Sequence, residues 1–154
     1  MKKTIFILLF FLWAIPSGFA QLKSNTFEEA EELSRLNPKP IVVFTHTNWC
    51  NYCKMMEHAT FKDTKIVAVL NKHFYFIAFD AETKRDIFFN AQTFRFQPTG
   101  TNTGIHELAT ALATIDSQVV YPTVTILESG NTIVLQQPSF LSAKDLLLIL
   151  DKLK

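Results

Sequence analysis

The chain has 154 residues, 48% hydrophobic and 19% charged, with 15 Lys+Arg against 14 Asp+Glu and a formal charge of +1. That balance excludes a disordered or collagenous chain and offers no polybasic surface, so no nucleic-acid partner is expected. Two cysteines exclude a disulfide-dense scaffold, and 15 phenylalanines supply the apolar volume of one well-filled core.

Residues 1–20 have the three parts of a secretory signal peptide. Lys2 and Lys3 form a basic start, Ile5 to Ile15 is an apolar run, and Gly18 and Ala20 place small residues before a cleavage point. Eleven apolar residues fall short of the roughly 20 that a membrane-spanning helix needs, so no stable anchor is expected after cleavage. Residue 21 is Gln, which removes the lipid-modified cysteine of a lipoprotein. The style of the segment is bacterial, so the expected location is the periplasm, with residues 21–154 as the mature domain.

Thr26-Phe27-Glu28-Glu29 predicts a capping box opening a helix over 27–36, which ends before Pro38 and Pro40. Ile41 to Thr45 is apolar and β-branched, the pattern of a strand buried on both faces. Helices are expected from Cys50 to His58 and from Asp63 to Lys72, the second with Ile66, Val67, Val69 and Leu70 on its apolar side. Phe74 to Phe79 predicts another buried strand. Residues 86–97 alternate weakly and predict an extended insert or hairpin, followed by a loop over 98–104. A helix is expected over 105–114, with His106 and Glu107 as solvated first-turn residues. Pro122 to Leu127 predicts a strand that pairs through a turn at 128–131 with 132–135. Ser142 caps a final helix to Lys152. Strands alternating with helices, closed by a hairpin, imply an α/β chain with a mixed sheet covered by helices.

The chemistry is concentrated in Trp49-Cys50-Asn51-Tyr52-Cys53-Lys54, which follows a buried strand and opens a helix. Two cysteines at this spacing can close a small disulfide. The first sulfur would sit at the helix N-terminus, where unpaired N–H groups and the positive dipole end favour thiolate over thiol. Cys50 is therefore the expected attacking sulfur. Cys53, one turn in and more buried, is the expected resolving sulfur. A zinc site would need two more ligands, with His46 and His58 nearby but poorly convergent. A disulfide kept for stability in a non-catalytic binding module is the main alternative, and a metal chaperone is a third.

These residues, with Tyr121-Pro122-Thr123 downstream, resemble the thioredoxin-like superfamily. The resemblance implies a thioredoxin fold in which Pro122 takes the place of the cis-proline facing the disulfide, and Tyr121 offers its backbone to an extended substrate. A closer resemblance covers about Pro40 to Asp80. Trp49-Cys50-x-x-Cys53-Lys54-x-Met56-Glu57, then Thr60-Phe61-x-Asp63 and Val67-x-x-Leu70, is similar to the branch containing the C-terminal domain of transmembrane disulfide-interchange reductases. There the residue matching Glu57 lies near the cysteine pair and tunes it. The superfamily's buried Asp, six residues before the first cysteine, is replaced by Phe44. Glu57 is therefore the expected proton acceptor, sharing a helix face with Cys53. Trp49 is expected to pack beside Cys50 as a shield.

The expected activity is that of an exported thiol–disulfide oxidoreductase. Its partners would be disulfide-bearing client proteins and a membrane or periplasmic thiol reductant or oxidant. No cofactor is implied, because the cysteine pair itself carries the electrons.

Overall fold

The computed structural model describes residues 21–154; the expected signal peptide lies outside them. No described helix is long and apolar enough to cross a membrane.

Among the described residues the first helix is α1 (Phe27–Leu36), opened by the expected capping box. The Glu29 N–H donates to Thr26 Oγ1 at 3.2 Å, and the Thr26 N–H donates to Glu29 Oε2 at 2.9 Å. Next come β1 (Ile41–His46), α2 (Asn51–His58), a 3₁₀ turn (Thr60–Lys62), α3 (Thr64–His73) and β2 (Tyr75–Asp80). Asp63 caps α3 instead of lying inside it, accepting from the Lys65 and Ile66 N–H groups.

The expected insert is two hairpins, β3 (Ile87–Phe89) with β4 (Gln92–Phe94), and β5 (Phe96–Pro98) with β6 (Gly104–His106). Asn90 and Ala91 form the two-residue loop of the first, both at positive φ, as a tight hairpin twisted with its strands requires. Glu31 of α1 accepts the Asn90 N–H at 2.9 Å, and Phe89 packs edge-on against Phe27. The insert is thus fastened to α1. In the second hairpin a side chain on Gly104 would run into the Phe96 ring, so the close approach of the strands requires glycine.

Helix α4 is shorter than expected, Glu107–Ala113. It is followed by a small hairpin that the sequence reading did not anticipate, β7 (Thr114–Ile115) with β8 (Gln118–Val119), turning through Asp116 and Ser117 at positive φ. The chain closes with β9 (Thr123–Leu127), β10 (Ile133–Pro138) and α5 (Ala143–Leu150), the last capped by Ser142 as expected.

The central sheet has the order β10-β9-β1-β2. β1 runs parallel to β2 and antiparallel to β9, and β10 returns antiparallel beside β9. Alternation along β1 divides the core. Val42 and Phe44 face α2, α3 and α5, whereas Ile41 and Val43 face α1 and α4. All four are fully buried, which explains the continuous apolar run. Phe74, Phe76 and Phe79 are buried as expected.

His106 departs from expectation. It is fully buried, its ring edge-on to Phe79. Its Nδ1 accepts the Leu108 N–H at 3.2 Å, capping α4, while Nε2 lies 3.1 Å from the Arg85 carbonyl. This pattern needs a neutral ring protonated on Nε2. Burial pushes its pKa down, more than the Arg85 carbonyl, Glu107 and Asp86 pull it up. Unfolded imidazole takes up a proton near pH 6.5, so the unfolded state binds more protons once pH falls below about that value. The stability contributed by neutral His106 is full above that pH and is lost as pH falls through the lower folded value. His106→Ala is expected to cost about 2 kcal/mol at pH 7.5, from the lost cap and the orphaned carbonyl. It should also flatten the fall in thermal midpoint between pH 7.5 and 5 (both roughly chosen to bracket the imidazole range). Thermal unfolding at the two pH values checks both.

Candidate active site

β1 and β2 are parallel, so both end at the same edge of the sheet. The loops leaving them meet there. Cys50 follows β1 and is the N-cap of α2, where its Sγ accepts the Cys53 N–H at 3.1 Å. A sulfur takes the position where Ser, Thr or Asp would normally satisfy the first free N–H groups of a helix. That position favours negative charge on Cys50. The two cysteines form a disulfide, with Cα atoms 5.2 Å apart. Cys50 is 6% exposed and Cys53 fully buried, so the asymmetry has the expected direction although little of either residue is open.

Around the disulfide lie exposed apolar side chains, Trp49, Tyr52 and Met55. Trp49 is not packed away. Its indole N–H donates to Glu82 Oε1 at 3.0 Å, and its ring stands edge-on to Tyr121 at 5.9 Å. Tyr121 joins Pro122 through a cis peptide bond, just ahead of β9. Its phenol is pushed up to about 12 by burial, reinforced by Glu82 and Asp80, and so stays protonated.

Glu82 and Asp80 were missed from sequence. Asp80 accepts from Asn48 Nδ2 at 3.4 Å and from the Glu82 N–H at 3.0 Å, tying the loop after β2 to the loop before Cys50. The signal was available. In a sheet with parallel neighbours, residues just past the carboxyl end of one strand meet those just past the next.

Phe44 occupies the position of the superfamily's buried acid. It is fully buried beside both cysteines, Met56 and Phe61, with its ring 4.7 Å from that of Phe61. Glu57, one turn beyond Cys53, lines a cavity of about 690 Å³ with Phe44, Phe61 and Phe76. His46 Nδ1 lies 3.5 Å from Glu57 Oε1. From the sequence, His46 enters only as a poorly convergent zinc candidate. Lys54 is exposed.

The family model of the thioredoxin-like domain matches residues 27–154. The chain therefore belongs to that family, and a thioredoxin fold that presents a CxxC disulfide at a helix start is the arrangement of a thiol–disulfide oxidoreductase. No curated protein matches the sequence. Among solved structures, the chain is similar to a thioredoxin from Thermus thermophilus, with 18% identity, a TM-score of 0.61, and 86% of each chain covered. It is also similar to the DsbH oxidoreductase, with 17% identity, a TM-score of 0.58 and 88% of each chain covered. The C-terminal domain of Neisseria meningitidis DsbD in its oxidised form matches with 17% identity and a TM-score of 0.54, over 81% of this chain and 90% of that one. The branch that the sequence resembles is thus represented among the similar structures. At these identities the likeness is one of fold.

Proposed function

We propose that the protein is an exported thiol–disulfide oxidoreductase that reduces or exchanges disulfides in periplasmic client proteins. The observation that carries this reading is the placement of the Cys50 sulfur as the N-cap of α2, bonded to the more buried Cys53. In the reduced protein, Cys50 attacks a client disulfide, the first client sulfur leaves, and a mixed disulfide remains. Cys53 then attacks Cys50, closing the protein disulfide and releasing the second client thiol. Glu57 takes the proton from Cys53. Trp49, Tyr121 and Pro122 line the place where the client chain would lie. A membrane or periplasmic thiol partner restores the starting redox state. Export is supported by the basic start, apolar run and small residues of positions 1–20.

The test is insulin reduction with dithiothreitol as electron donor. The wild type should accelerate precipitation of the insulin B chain, and Cys50→Ser should not. Equal rates for both would leave the disulfide as a structural staple. For export, the protein recovered from the cell envelope should begin at or near Gln21.

A further inference from the structure

We infer that His46 and Glu57 act as one proton-accepting unit for Cys53, with His46 as a positioning residue that works through Glu57. The inference rests on the exchange chemistry proposed above.

The placement of both residues points to it. Alternation along β1 puts Val42, Phe44 and His46 on the face covered by α2, and the first two share a core with Cys50 and Cys53. The His46 ring stacks on Phe44, with centroids 5.2 Å apart and planes 20° apart. Its side chain is only 14% exposed, so the imidazole is lodged against Phe44 and not spread into solvent. Its Nδ1 meets Glu57 Oε1 at 3.5 Å. Glu57 is four residues past Cys53, which puts the two Cβ atoms roughly 5–6 Å apart on one helix face. Glu57 is thus a helix-face neighbour of Cys53 and an ion-pair neighbour of His46, beside the Phe44 that stands where the superfamily has its acid.

The chemistry favours a pair over a lone carboxylate. A carboxylate holds a proton only below about pH 4.3, an imidazole below about pH 6.5, and an ordinary thiol below about pH 8.5. Passing the proton from Glu57 to His46 moves it to an acceptor better matched to a thiol. Most of the other charged groups nearby are engaged elsewhere or exposed, and Lys62 is the one that lines the same cavity as Glu57. Asp80, the register partner of His46 on β2, is held by Asn48 and the Glu82 N–H. Lys54 and His58 of α2 are exposed, and Lys62 shares the cavity rim with Glu57.

The step balances as follows. Cys53 gives its proton to Glu57 and on to His46, and the thiolate attacks Cys50 Sγ. The bond from Cys50 to the client sulfur breaks as the Cys50–Cys53 bond forms. The client sulfur leaves as a thiolate and takes up the proton from the pair. The protein is oxidised by two electrons and the client disulfide is reduced to two thiols.

The experiment follows collapse of the mixed disulfide that reduced protein forms with saturating glutathione disulfide. Trp49, the single tryptophan of residues 21–154, gives the stopped-flow signal. In the wild type the collapse rate should rise with pH through the imidazole range, about pH 5–8. His46→Gln should lose that limb and collapse roughly tenfold more slowly at neutral pH. Glu57→Gln should be equally slow, and the double variant no slower than either. An unchanged rate and profile in His46→Gln, or a double variant slowed by the product of the two single effects, would overturn the unit. A second readout does not depend on His46→Gln folding. Glu57→Gln taken alone should also lose the rise of the collapse rate with pH, because His46 works only through Glu57; a profile in Glu57→Gln that keeps the wild-type rise also overturns it. Insulin reduction by the wild type and not by Cys50→Ser, measured alongside, separates this inference from the parent reading. A wild type inert towards insulin would sink the exchange chemistry itself.

Discussion

Cys53→Ser is expected to accumulate mixed disulfides with client proteins, and Cys50→Ser to accumulate none. The asymmetry follows from where the helix begins. Cys50 stands at the N-cap of α2 with its sulfur facing the Cys53 N–H, and Cys53 lies inside the first turn, fully buried. A thiolate at a helix start is stabilised by the same N–H groups that would otherwise need a capping side chain. With Cys53 replaced, the first attack still proceeds and the second cannot, so the intermediate persists. With Cys50 replaced, the remaining sulfur is shielded by Met56 and Phe61 in the same core and cannot reach a client. Non-reducing gels of envelope extracts check this. Equal trapping by both variants would mean that burial does not set the order of attack.

Phe44→Ala carries the largest expected cost in stability, roughly 3–5 kcal/mol. The ring is fully buried, packs on Phe61 and His46, and closes the core beneath both cysteines. Deleting it removes the transfer free energy of the side chain and leaves a void that the sheet and α2 cannot fill by local collapse. A small domain has only about 5–15 kcal/mol in total, so the urea midpoint should fall by about a fifth or more. Phe44→Leu retains most of the volume and should cost roughly 1–2 kcal/mol. A cost below about 1 kcal/mol for Phe44→Ala would show that the site relaxes, contrary to the packing described.

The sequence carried the main architecture because its strongest patterns are local. The capping box at Thr26 and Glu29, the apolar run of β1 and the spacing of Leu146 and Leu150 in α5 each depend on near neighbours only. What escaped was set by distant parts of the chain. His106 and Glu107 look like a solvated helix start, yet β2 and the chain at Arg85 bury His106 and turn it into a cap. The hairpin of β7 and β8 depends on positive φ at Asp116 and Ser117, residues without a glycine to advertise the turn. At the site, the CxxC motif was legible from spacing and strand context. The Glu82 contact to Trp49 and the His46 contact to Glu57 join different elements, and only the parallel register of β1 with β2 and the seat of α2 over β1 bring them together.

The central claim is that the two sulfurs differ in reactivity because only Cys50 stands at the start of α2. Alkylation of the reduced protein at mildly acidic pH, with each labelled cysteine identified by peptide mass, tests it directly. The account predicts that Cys50 is modified at least roughly tenfold faster than Cys53, since the thiolate is the reacting species and the helix start favours it at Cys50 alone. Equal labelling, or faster labelling of Cys53, would contradict the assignment of attacking and resolving sulfur.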